Sequence, residues 1–143
     1  MSNSNLKIDT QQSNGEKTNF FSVLDAELQS AATRLSGLFI MKGRGQQNGM
    51  LLVVVVANKG GILSFTPELY TVVNGVDVKL WTAAAAISAN GTYVYLIYPG
   101  AGTNALFTEI KQTPMPREWK VSLTYSGTPA TDKADTSAYA SYI

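Results

Sequence analysis

Apolar and polar residues alternate with a period near two along most of this chain, the pattern of strands that bury one face. The cleanest case spans residues 118–125, where Trp119, Val121, Leu123 and Tyr125 fall on one side and are predicted to face inward. Asn74-Gly75 is a tight-turn signal between two further runs and predicts a hairpin. Beyond the turn, Val76, Val78 and Leu80 alternate with Asp77, Lys79 and Trp81. Before it, Leu63, Phe65, Leu69 and Val73 oppose Ser64, Thr66 and Glu68, while Pro67 interrupts the ladder and predicts an edge or a bulge.

Two segments are apolar on both faces. Met50 to Ala57 reads Met-Leu-Leu-Val-Val-Val-Val-Ala, a β-branched run predicted as a strand that is central or covered by a partner. Residues 92–98 carry bulky groups on both sides and end at Pro99-Gly100. A weaker strand signal covers residues 105–111, and a last strand is expected near residues 136–143. Four alanines at 83–86 are too few for an independent helix and read as a strand end or loop.

One segment has a different period. Phe21, Leu24, Leu28, Ala32 and Leu35 recur at steps of three and four, with Ser22 in an N-cap position and Asp25 three residues on. This predicts a short helix. Residues 1–19 are polar, with Leu6 and Ile8 as their large aliphatics. The expected organisation is an N-terminal arm with a short helix over residues 1–29 and a β domain over residues 30–143. The expected fold class is all-β: an antiparallel β-sandwich or jelly-roll-like barrel of about seven or eight strands.

The composition narrows the chemistry. The 143 residues are 45% hydrophobic, enough for one domain with a core, and the net charge of +1 gives no electrostatic support for a nucleic-acid partner. There is no His and no Cys, which removes Ser-His-Asp and Cys-His catalysis and the usual zinc and haem ligands. No disulfide can form. The N-terminus has no apolar run after a basic start, and the longest apolar stretch falls well short of the roughly 20 residues of a spanning helix. No secretory signal and no membrane association are expected.

Few residues have a pattern that suggests chemistry. Gly43-Arg44-Gly45 precedes a strand rather than a helix, so it reads as a hairpin loop whose Lys42 and Arg44 are available to an acidic partner. The carboxylate pairs Asp25/Glu27 and Asp132/Asp135 read as solvated surface. No catalytic, cofactor-binding or metal-binding residue is predicted, and the protein is expected not to be an enzyme. Trp81 shares its parity with Asp77 and Lys79 and is predicted to be exposed or buried only in an interface. The amount of two-faced apolar strand, with only 15% charged residues, suits a subunit whose outer surface is buried by neighbours.

Residues 91–100 (Gly-Thr-Tyr-Val-Tyr-Leu-Ile-Tyr-Pro-Gly), residues 114–125 (Pro-Met-Pro-Arg-Glu-Trp-Lys-Val-Ser-Leu-Thr-Tyr) and a Tyr-containing last strand resemble a family of small tailed-bacteriophage proteins, the capsid decoration, auxiliary or cement proteins. The likeness covers roughly residues 31–143. It implies a β-rich protein, commonly trimeric, made in the host cytoplasm and carried on the capsid exterior. There it binds the major capsid protein of an expanded shell and holds capsomers together. It further implies an extended arm that contacts a neighbour, for which Leu6, Ile8, Phe20, Phe21 and Leu24 are the candidate anchors, with Trp81 as a second patch. The low charge and many Asn and Gln depart from members found in thermophile-infecting phages. Two alternatives remain: a tail or baseplate component on the same scaffold, and a carbohydrate-binding module using the seven Tyr and two Trp for host attachment.

Overall fold

The computed structural model describes residues 20–29, 33–41, 48–60, 64–126 and 134–143. Leu6, Ile8, Lys42, Arg44 and Asp132 lie outside the described residues. Within these residues the chain is all-β, with ten strands: β1 (Phe21–Gln29), β2 (Arg34–Leu35), β3 (Phe39–Ile40), β4 (Met50–Ala57), β5 (Ser64–Val73), β6 (Val76–Thr82), β7 (Gly91–Ile97), β8 (Glu109–Lys111), β9 (Glu118–Ser126) and β10 (Ala134–Tyr142).

The pairings nest inside one another. β5 pairs with β6, β4 with β7, β2 with β9 and β1 with β10, all antiparallel. The chain is therefore one long antiparallel ribbon folded over on itself. Pairing of β10 with β4 and of β9 with β5 winds that ribbon into two sheets, in the orders β1-β10-β4-β7-β8 and β2-β9-β5-β6. This wrapping is the jelly-roll form of the β-sandwich, and the sheets pack face to face without closing into a barrel. β8 joins β7 in parallel at the edge of the first sheet, and β3 pairs with β9 in the second.

The core lies between the sheets and follows the pleat. Met50, Leu52, Val54 and Val56 point inward from β4, Trp119, Val121 and Leu123 from β9, and Phe65 and Leu69 from β5, all essentially inaccessible to water. One end of the core is aromatic. Phe39 stacks on Trp119 at 4.7 Å, Tyr142 meets Trp119 edge-on at 6.1 Å, and Phe21 closes the group at 5.1 Å from Tyr142. The Trp119 indole N–H donates to the Tyr142 hydroxyl at 2.9 Å, which satisfies the one polar atom that burying this ring would strand. Tyr125, predicted to face inward with Trp119, instead lies at the outer end of β9 and is 37% exposed.

Arg34 ties the sheets together across their open side. From β2 its guanidinium donates to the Thr136 carbonyl and hydroxyl on β10 and to the Asp25 carbonyl on β1, and it pairs with Glu27 at 3.0 Å. Gly49, just before β4, is fixed by close approach: a Cβ there would fall on the Ile97 carbonyl oxygen and 2.5 Å from Tyr98 Cδ1. No larger residue fits without moving backbone.

Two expectations are corrected. The segment predicted as a helix is β1, paired along β10, and its apolar spacing comes from two register shifts, at Ser22/Leu24 and Leu24/Glu27. Each bulge inserts residues into the period-two pattern, so adjacent Val23 and Leu24 are both buried and the spacing mimics a helical one. The boundary at 29/30 accordingly does not hold, because β1 belongs to the sandwich. The irregularity expected at Pro67 is present, although β5 is an inner strand and not an edge: pairing with β6 stops at Glu68–Thr82 and is followed only by an isolated bridge at Phe65–Ile87. Pro67 is tolerated because its carbonyl accepts from Ala83, past the last residue of β6, so its missing N–H falls where that ladder has ended.

Candidate functional site: the two outer sheet faces

The inner residues of each strand fix what the outer faces present. On the first sheet the outward positions of β4 are Leu51, Val53 and Val55. Val53 lies between Tyr139 of β10 and Val94 of β7, and Leu51 lies between Ser141 and Leu96, with Ile110 of β8 beyond Leu96. These side chains are half-buried by their cross-strand neighbours and still meet solvent. An antiparallel sheet with one face on the core ordinarily carries polar residues on the other. Here three neighbouring strands place aliphatic and aromatic groups there, which makes this face suited to docking against another apolar surface.

The outer face of the second sheet is built in the opposite way. Glu68, at the middle of β5, is only 7% exposed and lies opposite Ser122 of β9. It accepts hydrogen bonds from the Tyr70 hydroxyl at 2.7 Å, the Lys79 ammonium at 3.2 Å, the Thr124 hydroxyl at 3.1 Å and the Thr82 hydroxyl at 3.4 Å. Burial by itself raises the pKa of this carboxyl, but the bonds from Tyr70, Lys79 and Thr124, with the Lys79 charge, outweigh burial and hold it below its ordinary value. The same bond to Glu68, with burial, pushes the Tyr70 phenol up to about 12. Lys120 and Asp77 pair at 2.9 Å on this face. The network is internally satisfied and keeps the sheet rigid and polar.

The structure disperses the residues singled out in the sequence. Leu24 is buried in this chain's own core and Phe21 packs in the aromatic group, so neither is available as an inter-subunit anchor. Phe20, immediately before β1, is 41% exposed. Trp81 is not an exposed patch. It is 5% exposed, lies edge-on to Tyr95 at 5.5 Å, and donates its indole N–H to Glu109 at 3.0 Å. The cause is a bulge at Leu80: Leu69 pairs with Trp81 but Tyr70 with Lys79, so parity flips and Trp81 turns inward. With both tryptophans in the core, neither offers a sugar-stacking platform.

No family model, curated protein or solved structure matches this chain. Its chemical capacity is therefore read from the geometry alone. The carboxylates do not converge: Asp25 accepts from Ser22, Glu27 pairs with Arg34, and Asp135 accepts from Asn58. Among the described residues no group of three acidic side chains is placed to hold a metal ion. A groove of about 560 Å³ runs beside residues 98–107, lined by Leu96, Tyr98, Phe107, Asn104 and Ile143 among others, and it contains no charged side chain. What the arrangement offers is apolar surface on a stiff frame. The sequence did contain the signal for the outer face, in the two-faced runs of β4 and β7; it contained little that pointed to Glu68, whose partners come from β5, β6 and β9.

Proposed function

We propose that the protein is a structural component of a tailed-phage virion that binds the outside of an expanded capsid and stabilises contacts between capsomers, as a trimer. The observation that carries this reading is the apolar outer face of the first sheet, centred on Leu51, Val53, Val94, Leu96 and Tyr139. It is a surface for association, and the family resemblance of residues 91–100 and 114–125 names the kind of assembly. Binding of this sort needs no chemistry. A subunit with higher affinity for the expanded shell than for its precursor shifts that equilibrium by the difference in binding free energy, multiplied over many sites.

The N-terminal contribution is assigned to residues 1–19 with Phe20, because Phe21, Val23 and Leu24 belong to the core. Two variants test the reading by co-sedimentation with expanded shells of the encoding phage. Val53→Lys together with Leu96→Lys is expected to retain a cooperative melt and to weaken shell binding or trimer formation by about tenfold or more. Deletion of residues 1–19 is expected to leave the sandwich folded and to weaken shell binding. Binding by the lysine variant at the level of the unaltered chain would overturn the assignment of this face, and full binding by the truncated chain would overturn the arm.

A further inference from the structure

The free edge of the second sheet is β6, which pairs with β5 on one side and with no strand on the other among the described residues. Its turn has positive φ at both central residues, 52° at Asn74 and 78° at Gly75, the conformation of a two-residue type I′ hairpin. Such a hairpin closes with a hydrogen-bonded pair, here Val73 and Val76. Alternation then turns the backbone of Val78 toward β5 and leaves the N–H and C=O groups of Asp77 and Lys79 pointing away from the sheet. Exposed edges are ordinarily guarded by a charge, a proline or a covering loop. This one carries Val76, Val78 and Leu80, at 61%, 39% and 40% exposure, and its two charges are held on the outer face of the sheet, Lys79 by Glu68 and Asp77 by Lys120.

We infer that β6 is a self-complementary edge that pairs antiparallel with β6 of a second copy about a twofold axis through Val78. This register is selected by both backbone and charge. Centring on Val78 sets Asp77 of each copy opposite Lys79 of the other, so the outward backbone groups of both residues exchange hydrogen bonds. On the same sheet face as the Lys120–Asp77 and Lys79–Glu68 pairs, opposite charges then meet twice across the seam. Centring on Asp77 or on Lys79 also satisfies the backbone, but it opposes like charges. On the other side of the ribbon the two Val78 side chains meet in a non-hydrogen-bonded pair, where side chains approach most closely, and Val76 faces Leu80 at the margin. The bulge at Leu80 ends the flat section and limits the seam to this short stretch, so each contact joins one pair of β6 strands instead of starting a growing sheet. This contact uses a different surface from the proposed shell-binding face and stands or falls independently of it.

The test uses the purified full chain with no shell present. The chain has no cysteine, and a non-hydrogen-bonded pair has a Cα separation of about 4.5 Å, inside the range of about 4.4–6.8 Å that a disulfide spans. Val78→Cys is therefore expected to give a covalent dimer under mild oxidation, and Val73→Cys, one strand in from the seam, to remain largely uncrosslinked. Val78→Glu and Val78→Lys are each expected to weaken self-association by about tenfold in sedimentation, and an equimolar mixture of the two to restore it. Equal crosslinking of the two cysteine variants, or Val78→Glu associating like the unaltered chain while both melt cooperatively, would overturn the seam.

Discussion

Trp119→Ala is expected to lower the unfolding free energy by about 4 kcal/mol, a large share of the roughly 5–15 kcal/mol that holds a domain of this kind together. Trp119 is completely buried and contacts all three other members of the aromatic group, Phe21, Phe39 and Tyr142. Those partners come from β1, β3 and β10, so one ring joins strands of both sheets. Truncation leaves a cavity that the surrounding backbone cannot fill, and it removes the donor that satisfies the Tyr142 hydroxyl. Trp119→Phe retains part of the packing and loses only the bond and some volume, so its expected cost is about half as large. Chemical denaturation of the three proteins checks this order. A loss below about 1 kcal/mol for the alanine variant would show that the aromatic end is not a principal support of the sandwich.

The second large effect is at Glu68, and it depends on pH. Glu68→Gln preserves the shape but removes the charge that Tyr70, Lys79, Thr82 and Thr124 all address. The expected loss near neutral pH is about 2 kcal/mol, the scale of hydrogen bonds to a charged group. The folded-state pKa lies below the ordinary value of 4.5. The carboxylate's contribution is therefore complete above that value and is lost as pH falls through the lower folded value. Unaltered and Glu68→Gln proteins should converge in stability on acidification, while their difference stays constant from there up to neutrality. At the alkaline end Tyr70 behaves with the opposite sign. Its pKa is raised to about 12, so its contribution is present below the ordinary phenol value and lost as pH climbs toward 12. Denaturant titrations across the acid range decide the matter, and a difference that does not change with pH would show that the charge at Glu68 contributes nothing.

Most of the sandwich was legible in the sequence because its strands bury one face with strict alternation, and β9 and the Asn74-Gly75 hairpin follow that rule directly. The misreadings share one physical source. A β-bulge adds a residue to one strand, and from that point every side chain changes face. Two bulges in β1 turned a strand into an apparent helix and hid Leu24 in the core. One bulge at Leu80 turned Trp81 from an apparent surface patch into a core residue bonded to Glu109. Bulges leave no composition signal here, since neither site contains Gly or Pro. The apolar outer face was legible as runs without polar alternation. Its partners in space, Tyr139 against Val53 and Val94, required the strand order, which alternation alone does not fix.

The proposed association of this chain with an expanded shell is open to direct measurement by sedimentation. The most direct measurement counts the copies that sediment with undecorated expanded capsids, and separately with unexpanded ones, as the concentration of the full chain is raised. Saturation at a simple ratio to the major capsid protein is expected on expanded shells, with little binding to the precursor. Absence of saturable binding by folded protein, or equal binding to both shell forms, would contradict the proposal.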